Sequence, residues 1–181
     1  MAETRKRIIA AGADLLHGVP IWNWAALTVR AVADRAGVNK RTVYRHFASE
    51  RDLRDAVLER LRTEAGVELE GLRLEDLREV AIRILEYVSS FPIEPRASTD
   101  PTVAAENVRQ RAALMAAVSP SARRWPVVDR KLASGIFDVL WSPVSYERLV
   151  ADWGLPPKEA IRGITWVMGL VEEAIRQGKR P

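Results

Sequence analysis

The chain has 181 residues, a net charge of +4, no cysteine and only two histidines, His17 and His46. That length holds one large domain or two small ones with a sizeable core; the lack of cysteine excludes disulfides, a thiolate zinc site and a thiol nucleophile, and no metal ligands or cofactor are expected. No run of about 18 apolar residues is present to span a membrane, and the start MAETRKRIIAAGADLL lacks the apolar stretch and cleavage site of a secretory leader, so a cytoplasmic location is expected. The charge is unevenly placed. Residues 1–50 hold eight Lys/Arg against four Asp/Glu, and the remainder hold twenty of each. One end of the chain therefore suits a polyanion and the other is neutral.

Thr4 to Leu16 is the first expected helix, with Ile8, Ile9, Ala11, Gly12, Leu15 and Leu16 on one face. Arg5, Lys6 and Arg7 at its start either reach a phosphate or stay solvated on a frayed terminus. Gly18 to Leu27, GVPIWNWAAL, reads as a loop because Gly18 and Pro20 disfavour helix continuation. Trp22 and Trp24 within it read as plugs under a three-helix core, since no basic groove surrounds them. Thr28 can cap the next helix, whose Val29, Val32, Ala33 and Ala36 fall three or four residues apart. Gly37 suits the left-handed conformation that ends a helix, and Asn39 can cap the helix after it. Lys40 to His46 buries Val43, with Phe47 four residues on, and leaves Lys40, Arg41, Thr42, Tyr44, Arg45 and His46 outward. A scaffold helix, a glycine turn and a basic second helix make a helix-turn-helix, which lays its second helix in the major groove of DNA.

The string Ala36-Gly37-Val38, followed by Thr42-Val43-Tyr44-Arg45-His46-Phe47, resembles the DNA-binding domains of the TetR family of transcriptional repressors. The resemblance implies a DNA-binding head at residues 1–48 and a helical regulatory and dimerisation body at 49–181. It places Thr42, Tyr44 and His46 at positions that touch phosphates, with Thr28 and Arg45 as further contacts. Lys40 and Arg41 lead the recognition helix, where base edges are met, and Arg41 has the donors for a bidentate pair with guanine. Many relatives carry glycine at Arg41. Glu50 stands where the family commonly has a phosphate-touching lysine, which puts that contact in doubt and leaves Arg51 as a substitute. Relatives also use fewer residues between Gly18 and Thr28.

Ser49 with Asp52 forms a capping pair that opens a fourth helix, reaching about residue 66 through Leu53, Val57, Leu58 and Leu61. Further helices are expected at Leu74 to Ser90, Thr102 to Val118, Pro126 to Trp141, Ser145 to Trp153 and Pro157 to Gln177, with Phe91 to Pro101 a proline-rich loop. The fold expected is all-α, with about nine helices in a helix-turn-helix head and a helical-bundle body. In the last helix Ile161, Ile164, Met168, Val171 and Ile175 form one apolar stripe beside a second made by Ala160, Val167, Leu170 and Ala174. Two stripes need two partners; one is the chain's own core, and the first stripe is assigned to an identical helix in a homodimer, which lets two heads read two half-sites.

Nothing in the sequence points to an enzyme: GxSxG, P-loop, HExxH and Rossmann-glycine patterns are all missing. The resemblance implies a small-molecule inducer in a body cavity, for which Tyr87, Phe91, Asn107, Arg111, Met115, Phe137, Trp141 and Trp166 are candidate lining residues. For each of these, plain core packing is the commoner role. The function expected is a homodimeric repressor on a palindromic operator, released by its inducer. The alternative is a helix-turn-helix protein whose body binds a protein partner.

Overall fold

The computed structural model describes residues 2–20, 23–93 and 100–181, so Trp22 and most of the proline-rich loop lie outside the described residues. Among the described residues all regular structure is helical, as the apolar spacing predicts. The nine α-helices are α1 (Ala2–His17), α2 (Val29–Ala36), α3 (Lys40–His46), α4 (Glu50–Glu64), α5 (Leu77–Val88), α6 (Pro101–Val118), α7 (Val127–Leu140), α8 (Pro143–Glu147) and α9 (Pro157–Arg176). None of them is long and apolar enough to cross a membrane.

The chain divides into two compact units, Met1–Arg96 and Ala97–Pro181. That division falls well past residue 48, because α4 and α5 share a unit with the head. In the first unit Ile8, Leu27, Val32, Val43, Leu53 and Val57 are almost wholly buried and form one cluster that also takes in Leu61 and Phe91. α1 packs against both α2 and α4. The closest approach is at the buried Gly12, where a Cβ would stand 2.5 Å from Cγ2 of the fully buried Val57. A methyl group at that position would have to displace the buried Val57 side chain, so glycine suits the site.

The second unit is built on α6, α7 and α9. Val118, Ala122, Trp125, Ala133 and Ile175 form its core, with Phe137 and Val171 packed against them. Gln110 on α6 donates to Asp138 on α7 at 2.6 Å. The expected helix Ser145 to Trp153 begins two residues earlier, with Pro143 in the first turn and Ser142 Oγ accepting from the Ser145 amide. It closes in a wide turn in which the Trp153 amide donates to the Arg148 carbonyl, five residues back. The helix expected from Leu74 likewise starts as a tight turn, because the Asp76 carboxylate holds the Arg73 amide and guanidinium.

Candidate nucleic-acid interface

Three local devices set the geometry of α2 and α3. Thr28 Oγ1 accepts from the Ala31 amide at 3.1 Å, satisfying a free donor at the start of α2. Gly37 adopts φ 65°, the left-handed conformation that swings the chain, and its amide and that of Val38 close onto the carbonyls of Asp34 and Ala33. Asn39 Oδ1 accepts from the Thr42 amide at 2.8 Å and from the Thr42 hydroxyl at 3.0 Å. α3 then hangs on Val43 and Phe47, both buried, with the Arg5 guanidinium 5.0 Å over the Phe47 ring. The sequence gives no hint that Arg5 reaches the end of α3, because the two are 42 positions apart.

Of the residues expected at DNA, Lys40, Arg41, Tyr44, Arg45 and Arg51 are exposed, and Thr28, Thr42 and His46 are half-buried. Among the described residues Lys40, Arg41 and Arg45 have no carboxylate partner, whereas nearby cations do: Arg30 with Asp34, Arg35 with Asp14, and Arg51 with Asp55. Cations left unpaired on the exposed side of a rigid helix are available to phosphates and base edges. Two of the expected contacts are less open. His46 Nε2 is buried without a partner among the described residues. The Thr42 hydroxyl already donates to Asn39, so contact with a phosphate requires it to turn.

Glu50 does not face outward as a bare charge. One carboxylate oxygen accepts from the Val29 amide at 3.3 Å, at the start of α2, and the other holds Arg54 at 2.8 Å. Arg54 in turn donates to the Leu27 carbonyl. Glu50 thus serves as a carboxylate at the positive end of α2 and ties α4 to it. Arg54, absent from the expected set, is the second half of this tie; only the i, i+4 spacing with Glu50 could have pointed to it.

At the far end of α4, Glu64 gathers side chains from two other helices. Tyr87 on α5 donates to Glu64 Oε2 at 2.8 Å, His17 Nε2 lies 3.3 Å from the same oxygen and 3.2 Å from the Tyr87 hydroxyl, and Arg60 donates to Oε1 at 2.6 Å. Phe91 stacks on His17 with ring centroids 4.6 Å apart and meets Tyr87 edge-on. Burial pushes the Glu64 carboxyl up, but the hydrogen bonds from Arg60, Tyr87 and His17 outweigh it and hold it below the ordinary carboxylate range. Burial, then the adjoining carboxylate, pushes the Tyr87 phenol up, so its hydroxyl remains a donor.

The residues expected around an inducer do not gather in one place. Tyr87 and Phe91 line a cavity within the first unit. In the second unit Arg111 and Met115 line one hollow between α6 and α7, and Phe137 lines another beside α9. Asn107 is half-buried, while Trp141 and Trp166 are 45% and 67% exposed. The stripe expected to meet a second chain is also divided. Ile175 is 5% exposed and sits with Val171 in the second unit's own core, Ile164 and Met168 are half-buried, and Ile161 is exposed. Helical spacing cannot tell which of two stripes faces inward, and here the C-terminal part of the assigned stripe does.

The family model described as "Bacterial regulatory proteins, tetR family" matches residues 8–57, the span from the buried Ile8 on α1 to Val57 on α4. Neither the curated proteins nor the solved structures contain a match to the chain. The matched span contains the capped α2, the glycine turn and the cation-bearing α3, so the head of the chain is similar to the DNA-binding domains of the tetR family of bacterial regulatory proteins, which supports a DNA-binding transcriptional regulator.

Proposed function

We propose that the chain works in the cytoplasm as a homodimeric repressor that occupies a palindromic operator and is released when a small molecule binds it. The observation that carries the DNA-facing part is the unpaired state of Lys40, Arg41 and Arg45 on α3. In this reading residues 1–48 read DNA and 49–181 regulate and dimerise. Arg41 meets a base edge; Tyr44, Arg45, Thr28 and Arg51 hold the backbone, joined by Thr42 and His46 once their side chains turn. A single α3 of seven residues covers too little DNA for strong specificity. A symmetric pair, with half-sites about one helical turn apart, reads enough. The second unit leaves suitable surface for that pairing: Leu132, Ile136 and Val139 on α7, and Ile161, Trp166 and Leu170 on α9, are exposed apolar side chains. With Ile175 and Val171 taken up by the core, we assign the interface to these residues, flanked by Ile164 and Met168. An inducer acts by preferring the form whose heads are wrongly spaced, and weakens operator binding by no more than that preference.

Selection of bound DNA from a random pool with the purified protein, followed by titration of the best site with salt, tests the proposal. The expected result is an inverted repeat whose affinity falls by roughly three orders of magnitude between 50 and 200 mM salt, the slope for six or so neutralised phosphates. Failure to enrich any repeat removes the operator reading.

A further inference from the structure

The first unit contains an apolar cavity of about 280 Å³ bounded by α1, α4, α5 and the turn at Trp24 and open to solvent past Leu58 and Leu69. Eleven of its twelve lining residues are uncharged, and the twelfth, Arg62, already holds Glu59 at 2.5 Å. An apolar wall of this kind makes poor contact with water. Nor does it offer a free charge to an acid or a base. Its size is nearly twice that of a roughly 150 Å³ apolar cavity, which accepts benzene. The occupant that fits is therefore a neutral apolar molecule with about two fused rings.

Two residues set the walls of this cavity. Trp24, in the short turn before Thr28, supplies one of them. Tyr87, in the opposite wall on α5, carries the hydroxyl that bonds Glu64 on α4 and touches His17 at the end of α1. A molecule pressed against the Tyr87 ring must either leave that hydroxyl in place or move it. The rings of Phe91 and His17 are stacked beside it, so a displacement passes to the C-terminal turn of α1, the helix that packs directly on α2.

We propose that this cavity binds a neutral two-ring apolar ligand and that Tyr87, through His17 and Glu64, transmits its presence to the DNA-binding head. The proposal rests on the reading that a ligand releases the DNA, and it locates that ligand in the unit that carries the head. Tyr87 is a positioning residue in this scheme: its ring touches the ligand and its hydroxyl sets α1.

The test uses the full-length protein and 1-fluoronaphthalene. Fluorine NMR line-broadening should report saturable binding to the unaltered chain. Leu58→Trp and Ile84→Trp, each filling the cavity from a partly exposed position, should each weaken that binding about tenfold or more while the helical signal and melting transition are retained. In the second arm, binding to the selected DNA should weaken about fivefold or more when the probe is present, the lower end of ordinary coupling between sites. Glu64→Ala, which lies outside the cavity wall and removes the partner of the Tyr87 hydroxyl, should still bind the probe but lose the probe's effect on DNA, because the contact to be disturbed is already gone. No binding, or binding untouched by both tryptophan variants, overturns the cavity assignment. Binding that leaves DNA affinity unchanged in the unaltered chain, or changes it equally in Glu64→Ala, overturns the transmission. If no DNA is selected at all, the repressor reading falls, and the fluorine arm still decides the cavity by itself.

Discussion

At the scale of single residues, Arg41 and Tyr44 differ in the effect expected of their loss, although both are exposed on α3. Arg41→Ala removes a fork of donors that fits guanine, and should cost about 1–3 kcal/mol at one base pair per half-site while relaxing preference there. Tyr44→Ala should weaken binding to all sequences alike; binding measured on a panel of single-base operator variants separates the two patterns. Glu50 gives a third outcome. Because its carboxylate is turned to the Val29 amide and to Arg54, Glu50→Gln should lower stability by about 0.5–1 kcal/mol, the value of a charge at a helix start. Its DNA affinity should not fall, and a fall would mean that the carboxylate is part of the reading surface. Sequence reasoning sees Glu50 only as a misplaced negative charge, since nothing in local spacing reveals a bond to a residue 21 positions earlier.

At the scale of helices, the caps were legible because they are local chemistry. Thr28, Asn39 and Ser49 each stand three residues before the amide they hold, and Gly37 ends α2 in the left-handed conformation at φ 65°. The faces were less legible. α9 has apolar residues on two sides, and only the three-dimensional core decides that Ile175 goes inward while Leu170 stays out. The inducer residues were unreadable for a related reason: an aromatic that lines a cavity and one that fills a core have the same spacing. Helix packing also reverses the usual effect of replacing glycine. Gly135→Ala, where a Cβ on α7 would meet nothing within 4 Å, should gain about 1 kcal/mol from helix propensity. Gly12→Ala makes the same gain but drives a methyl group into the stiff, buried Val57, at a cost of about 1–3 kcal/mol. The first should raise Tm and the second lower it by several degrees, as read by thermal melts.

At the scale of the whole molecule, assembly and acid sensitivity are the measurable properties. Trp166→Glu with Leu170→Glu places charges on an exposed apolar face of α9, and should give monomers by sedimentation with the helical content kept; dimers would place the interface elsewhere. Acid acts through Glu64. Its carboxyl lies below the ordinary carboxylate range in the folded protein, so the stability it lends is present in full above that range and is lost as pH falls from there through the lowered folded-state value. Melting curves between pH 7 and 3 should show a decline that is shallower in Glu64→Gln, where the titrating group is gone. An equal decline in both would assign the acid sensitivity to other carboxylates.

The tight seat of Gly12 on Val57 also has a mechanical side. Two helices that cannot slide past each other turn as one body. α4 has 15 residues and is about 22 Å long. A tilt of roughly 10° about its far end, near Glu64, therefore carries the near end through about 4 Å, and α1 travels with it. In the proposed homodimer, whose two heads would straddle one turn of the double helix with grooves about 34 Å apart, such a swing in each would be enough to miss the second groove once the first is engaged. Control over the proposed operator would then need no rearrangement within the head itself, only a lever stiff enough to deliver a small angle as a large step.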